Sequence, residues 1–238
     1  MKAIIVAASA PRPEAYDVLP RHSPDGARGT DAEYVITFGG RGCYQSWDRP
    51  NAATRRDADY VRSAAIGKGH GSILEHASVT FYITGISRSC THELIRHRHL
   101  SYSELSQRYV DMGNADYVTP PALRDTQAPR DVIDDAVESA QVSYDALRHL
   151  SAGIGLHGKR ARQAARAVMP ECTETRITVT GNLRAWRHFV ITRGSEHADD
   201  EIRELALELL DQLYGEAPSV FGDLSVVELA DGREVVEV

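Results

Sequence analysis

Cysteine is scarce in this 238-residue chain: Cys43, Cys90 and Cys172 are odd in number and far apart. They make neither a disulfide framework nor a zinc-ligand spacing, and they fit a reducing compartment. Long apolar runs are missing too, since nothing approaches the ~20 apolar residues of a membrane-spanning helix. The opening Met1-Lys2-Ala3-Ile4-Ile5-Val6 is too short for a secretion signal and leads into Pro11-Arg12-Pro13. It reads as a first strand of a cytoplasmic protein. A net positive charge is also lacking. The formal charge is −7 and the pI about 5.8, which excludes general affinity for nucleic acid or anionic membrane.

Several chemical signatures are absent as well. No G-x-G-x-x-G follows a predicted strand and no G-x-x-x-x-G-K-[ST] occurs, so neither standard glycine cradle for phosphate is available. The sharp G-x-S-x-G turn of a nucleophilic serine is missing. The run His92-Glu93-Leu94-Ile95-Arg96 resembles H-E-x-x-H but has arginine where the second ligand would stand. A guanidinium beside a divalent cation is electrostatically wrong, and no metal is expected.

What remains is ordinary globular composition, 42% hydrophobic and 26% charged, without repeats or low-complexity segments. Residues 9–31 read as an irregular loop, and 57–66 as a helix ended by Gly67, Gly69 and Gly71. Val79, Phe81 and Ile83 alternate with Thr80, Tyr82 and Thr84, the clearest strand in the chain. Ser87 and Ser89 can cap a following helix that carries Leu94 and Ile95. Tyr117 to Pro129 reads as a connecting loop. A helical stripe then follows from Asp131 through Ile133, Val137, Ala140, Tyr144 and Leu147. The helix Arg162–Val168 is stopped by Pro170. A second strand covers 175–180, a long helical region runs from Leu183 to Leu213, and Asp231-Gly232 predicts a tight hairpin in the tail. Strands and helices mix without βαβ alternation. The expected fold is therefore α+β, with a central, mainly antiparallel sheet flanked by helices and a helical lobe, all in a single domain over 1–238.

The most informative segment is Arg96-His97-Arg98-His99-Leu100-Ser101-Tyr102-Ser103-Glu104-Leu105-Ser106-Gln107-Arg108-Tyr109. A basic, hydroxyl-rich island in an acidic chain points to a pocket for a phosphorylated small molecule, because guanidinium forks suit phosphate and stay charged. The plainer alternative is a solvated basic face. The spacing favours a site: on a regular helix Arg96 and Arg98 would point about 200° apart, whereas in an extended run they can converge with Glu104 and Ser106. A second cationic set comprises Arg162 and Arg166, four apart, and Arg184, Arg187, His188 and Arg193. By itself that set is equally an amphipathic helix pair and a buried polar site.

Arg96-His97-Arg98, seven residues, then Ser106 resembles the RHR-x7-S signature of the flavin-dependent thymidylate synthases. The likeness extends to His70-Gly71-Ser72 through Glu75-His76, to Ala165-Arg166 through Pro170, and to Asn182 through His188, Arg193 and His197. This resemblance implies an enzyme that makes dTMP from dUMP, with methylenetetrahydrofolate as carbon donor and NADPH as reductant through FAD. It implies that Ser72, Arg96, His97, Arg98, Glu104, Asn182, Leu183, Arg184 and His188 line the flavin. Glu93, Leu94, Ile95, Arg96, then Glu104, Leu105, Ser106, Gln107 and Arg108, with Arg166, would hold dUMP. Arg193 would lie against the pyrimidine as the catalytic residue. The resemblance further implies a homotetramer whose sites are shared between subunits. Ser103 and Glu93 depart from the family's usual asparagine and glutamine, and a carboxylate at Glu93 beside a nucleotide needs a donor facing it.

Overall fold

The computed structural model describes residues 1–19, 29–48, 51 and 54–238. In chain order its elements are β1 (Lys2–Ala8), α1 (Ala15–Val18), α2 (Asp31–Tyr44), α3 (Asp57–Val61), β2 (Ser78–Ser87), α4 (Arg88–Leu94), β3 (Leu100–Glu104), α5 (Gln127–Gly153), α6 (Lys159–Ala165), β4 (Glu174–Asn182), α7 (Leu183–Arg193), α8 (Asp200–Glu216), α9 (Pro218–Phe221), β5 (Ser225–Glu228) and β6 (Glu234–Glu237). Short 3-10 turns cover Gly71–His76, Pro121–Leu123 and Arg166–Val168, and a π-helical turn spans Arg62–Gly67. This mixture of helices with an antiparallel sheet is the expected α+β class. The main sheet has the order β1-β2-β4-β3, and β5 pairs antiparallel with β6. Among the described residues no helix is long and apolar enough to cross a membrane.

The chain divides into two compact units. One comprises Met1–Lys2, Ile83–Arg96 and Tyr102–Thr178; the other comprises Ala3–Tyr82, His97–Ser101 and Val179–Val238. All four strands of the main sheet contribute residues to both units.

In the first unit, alternation does what the sequence predicts. Ile83 and Ile177 are fully buried on β2 and β4. Ser87 caps α4, its Oγ accepting from Cys90 N at 3.0 Å. Met112, Tyr144 and Ala165 form a core joined by Leu105, Leu147 and Val168. The Tyr144 hydroxyl accepts from Met112 N at 3.1 Å, so this apolar cluster leaves the phenol hydrogen-bonded. The connecting loop ends earlier than expected, since α5 already begins at Gln127 and contains Pro129 in its first turn, where a missing N–H costs nothing.

In the second unit, α7 is built on its buried face from Leu183, Ala185, Trp186, Phe189 and Val190, spaced at helical period. Asn182 caps it, its Oδ1 accepting from Ala185 N at 2.8 Å. Trp186 Nε1 donates to Val79 O at 3.0 Å, and its ring meets Phe81 and Phe189 edge-on. Gly181 matters here because a Cβ at that position would run into the Leu100 side chain and lie 3.1 Å from Trp186 Nε1.

The tail hairpin forms where Asp231-Gly232 predicts it: Leu229–Arg233 connects β5 to β6, closed by Leu229 N donating to Arg233 O at 2.8 Å, with Gly232 at φ 83°. Three local expectations are corrected. The long C-terminal helical region is two helices, because Gly194–Asp199 interrupts it; Asp199 then caps α8 by accepting from Glu201 N. Part of the 9–31 segment is helical, at Ala15–Val18, whereas 20–28 lies outside the described residues. The helix Asp31–Tyr44 has no counterpart in the sequence-based reading. It carries a full capping box, Thr30 with Glu33, and Glu33 Oε1 also accepts from Ser219 N at 2.8 Å.

Candidate functional site

Two clusters of the expected site residues form, one in each unit. In the first unit, Glu104 ends β3 with its carboxylate fixed. Oε1 pairs with Arg88 Nη1 at 2.8 Å and accepts from the hydroxyls of Thr91 at 3.0 Å and Thr175 at 3.2 Å. Leu94 is fully buried and Tyr102 donates its hydroxyl to Leu94 O at 2.8 Å. Burial pushes the Tyr102 phenol up to about 12, so it stays a donor at physiological pH. The turn of α4 into β3 is thereby clamped, and Ile95 and Arg96, both exposed, are carried at its end. Glu93 is half-buried on the last turn of α4.

Past β3, Leu105 N donates to Arg176 O at 2.8 Å, and Ser106 O accepts from Tyr109 N and Val110 N, which folds 106–110 into a turn. Gln107 is buried beneath it. Arg162 Nε donates to Arg108 O at 3.0 Å, and Lys159 Nζ donates to the Tyr109 hydroxyl at 2.6 Å. These two bonds hold the turn against α6. Arg166 opens the 3-10 turn that follows α6, whose last residue, Ala165, lies in the core. Arg162 and Arg166 therefore do not share one regular helix face; Arg162 serves the backbone of Arg108. No acidic side chain pairs with Arg96, Arg108 or Arg166 among the described residues. Guanidinium groups left without carboxylate partners in a chain of charge −7 are suited to an anionic ligand.

In the second unit, His97 and Arg193 come together across 96 residues of sequence, Arg193 Nε donating to His97 Nε2 at 2.9 Å. The His97 ring also lies edge-on to Phe189 at 5.1 Å and to His188 at 5.7 Å between centroids. Burial first, then the Arg193 charge and His188, push His97 down to about 4, so the ring is neutral at physiological pH. The unfolded chain would bind this proton near pH 6.5 and the folded chain only near 4. The His97 contribution to stability is therefore complete above pH 6.5 and lost as pH falls from there to 4. In His97→Gln the fall in unfolding midpoint across that window is expected to be shallower than in the wild type. A parallel pH profile for the two proteins would contradict the assignment.

On the exposed side of α7, Arg184 pairs with Glu75 at 2.6 Å and lies over Gly71, where a Cβ would sit 3.5 Å from its Nε. Ser72, exposed, thus neighbours the first turn of α7. His188 is exposed, and Arg98 is exposed with no acidic partner among the described residues. Leu183 is fully buried and offers only backbone, its N–H already donated to Ala77 O at 2.9 Å. Arg187 is turned away from this group into a two-pronged pair with Asp223, at 2.6 Å for each prong, and so is structural. His197, with Glu196 3.5 Å away, is solvent-exposed.

The sequence-based reading missed Arg88, Tyr102 and Lys159. The signal for Arg88 was available in principle, since a half-buried Glu104 needs a cation; nothing local marks the other two. No group of three His, Cys, Asp or Glu side chains gathers in metal-binding geometry among the described residues.

The family model described as thymidylate synthase complementing protein matches residues 27–219. The flavin-dependent thymidylate synthase of Mycolicibacterium vanbaalenii is 54% identical over 222 residues, covering 89% of this chain and 88% of that protein. The enzyme of the same name from Mycobacterium tuberculosis matches to the same extent. Among solved structures, thymidylate synthase X from Helicobacter pylori with FAD and dUMP superposes with a TM-score of 0.63 at 23% identity, covering 94% of this chain and 98% of that one. A second structure of that protein gives 0.64 at 22%. At that identity the likeness is one of fold.

Proposed function

The chain belongs to the flavin-dependent thymidylate synthase family, and we propose that it converts dUMP to dTMP by reductive methylation. Methylenetetrahydrofolate would be the one-carbon donor and NADPH the reductant, through bound FAD. The observation that carries this reading is the pair of preorganised cationic clusters, with Arg96, Arg98, Arg108 and Arg166 free of carboxylate partners among the described residues and Arg193 fixed by His97.

The donor set fits a dinucleotide bearing a pyrophosphate. Ser72, Arg98, Arg184 and His188 supply a hydroxyl, two guanidinium groups and an imidazole, all solvent-facing. Together with Arg96, His97, Glu104, Asn182 and the backbone of Leu183 they would hold the flavin. When bound, FAD would supply the hydride chemistry that no side chain here can perform. The dUMP phosphate would lie on Arg108 and Arg166 with the Ser106 hydroxyl. Glu93, Leu94, Ile95, Arg96, Glu104, Leu105 and Gln107 would complete the nucleotide's surroundings. Arg193 would face the pyrimidine, where negative charge builds on N3 and O4 as the ring is activated. A guanidinium held in place stabilises that charge without transferring a proton. The whole chain, 1–238, would act as one catalytic domain, in a cytoplasmic homotetramer whose sites are completed by neighbouring subunits. Nucleic acid and membranes would not be partners.

The purified protein is expected to be yellow, to bleach with NADPH, and to form dTMP when given dUMP and methylenetetrahydrofolate. A flavoprotein that binds dUMP without forming dTMP would instead be a binding module and would overturn the reading. Arg108→Ala should raise the dUMP KM by about 10- to 100-fold, since a hydrogen bond to a charged group is worth about 1.5–3 kcal/mol. A loss confined to kcat would contradict the phosphate role.

A further inference from the structure

We propose that Val236, on strand β6 of the C-terminal hairpin, is a positioning residue for the reaction: it grips the end of α7 and thereby keeps the Arg193 guanidinium aimed. The proposal rests on the role given to Arg193 above. It concerns a segment, 225–237, that lies beyond the residues 27–219 matched to the family.

Arg193 is the last residue of α7, at the end where a helix frays because its final carbonyls have no partner within the helix. Further back the helix is held by its buried face, since Phe189 and Val190 have no exposed surface. Arg193 itself is half-buried, and its bond to His97 Nε2 starts from this terminal turn. A small shift of the backbone there would carry the guanidinium off its mark.

The hairpin closes that end. Val236 N donates to Gly194 O at 2.8 Å, one residue past Arg193, and Gly194 N donates to Val190 O at 2.8 Å. Gly194 is thus tied through its N–H to the helix and through its carbonyl to the tail. Packing matches the bond: Gly194 is buried, and a Cβ there would lie 2.4 Å from Val236 Cγ2, so the valine rests directly on the glycine backbone. Val236 stands opposite Val226, and the bond from Leu229 N to Arg233 O sets the pairing so that the Val236 N–H points away from β5. It is therefore the free edge of the hairpin that reaches α7. Val235, on the other face of β6, is buried too, and β6 packs against α8 as well as α7. A second tie runs from Arg233 Nη1 to Glu196 O at 3.4 Å, with Arg233 Nε held by Asp231 at 2.7 Å.

Both ties go to main-chain carbonyls within three residues of Arg193, so the hairpin fixes the backbone from which that side chain projects. Without the tail, the Gly194 carbonyl could bond water at little net cost. The tie therefore governs where the backbone sits more than how stable the fold is.

The test is Val236→Pro in the full-length holoenzyme. Proline removes an N–H that gives nothing to the hairpin ladder, a position where it is tolerated. The kcat is expected to fall about 10- to 100-fold, the scale for a small misplacement transmitted from outside the site. The dUMP KM, flavin content and unfolding midpoint should hold. In the Arg193→Ala background the same substitution should cost nothing further, because it acts through a side chain no longer there. Independently of turnover, the His97 ring, followed by NMR titration and identified by its loss in His97→Gln, should move up toward its value in Arg193→Ala. Val226→Thr, on the exposed strand β5, should match the wild type throughout. If Val236→Pro does not fold, Val236→Ala, which keeps the N–H but empties the contact on Gly194, carries the same comparisons with a smaller loss. A wild-type kcat and His97 titration in the folded variant, or an equal further loss in the Arg193→Ala background, overturns the proposal. If the wild type forms no dTMP, the functional reading falls and the His97 titration alone decides whether the hairpin holds Arg193: an upward shift upholds it, and no shift overturns it.

Discussion

Arg193→Ala is expected to cut dTMP formation at least ~100-fold, the scale for losing one preorganised electrostatic donor. Flavin should remain bound, because the proposed flavin contacts are spread over Ser72 and Arg98 on two other segments and over Arg184 and His188 nearer the start of α7. The fall should appear in kcat and in kcat/KM together, as for an interaction that strengthens only when charge develops. Arg193→Lys should not restore the rate. An ammonium could carry the charge, but it lacks the Nε–H that fixes the guanidinium on His97 at 2.9 Å. The same variants carry a second readout. Removing the Arg193 charge should raise the His97 pKa, while burial, the larger cause, keeps it below 6.5. Turnover near the wild-type level in Arg193→Ala would remove this residue from the chemistry.

Trp186→Ala is expected to destabilise the protein by about 3–5 kcal/mol, the usual loss for truncating a buried aromatic. The indole has no exposed surface, packs edge-on against Phe81 and Phe189, and donates to Val79 O at 3.0 Å. Its removal would open a cavity under the helix that carries Arg184, His188 and Arg193 and leave a strand carbonyl unpaired. Denaturant unfolding measures the effect as a drop in midpoint. Trp186→Phe, which fills most of the space without the N–H, should cost clearly less. A shift below about 1 kcal/mol in the alanine variant would mean that the surroundings collapse onto the gap.

Periodicity made the two central strands legible, because Val79, Phe81 and Ile83, and Ile177 and Val179, alternate with polar neighbours and the buried faces follow suit. Capping made α4 legible at Ser87, though not at Ser89. The helix Asp31–Tyr44 was hidden by Gly39, Gly40 and Gly42, which locally read as breakers. Their reason is tertiary: a Cβ at Gly39 would strike the His76 ring, and one at Gly40 would sit 2.5 Å from the Tyr60 hydroxyl. The break after Arg193 did leave a signal, since on one continuous helix Ile202, Leu205 and Leu209 would face about 100° away from Leu183, Trp186 and Val190. For the site, the arginine run was legible as composition, and the family resemblance assigned it roles. The pairing of His97 with Arg193 and the anchoring of Glu104 by Arg88, Thr91 and Thr175 were not legible. They depend on which strands lie side by side, and no local pattern encodes that.

The bond between Arg193 and His97 also bears on proton traffic. A relaying imidazole must give at one nitrogen while taking at the other, then reset. Here Nε2 faces a donor that does not ionise at any working pH, which confines the ring hydrogen to Nδ1. With its basicity suppressed as well, this histidine is a fixed strut and not a shuttle. A hydrogen exchanged with bulk solvent during turnover would therefore take a route other than this ring.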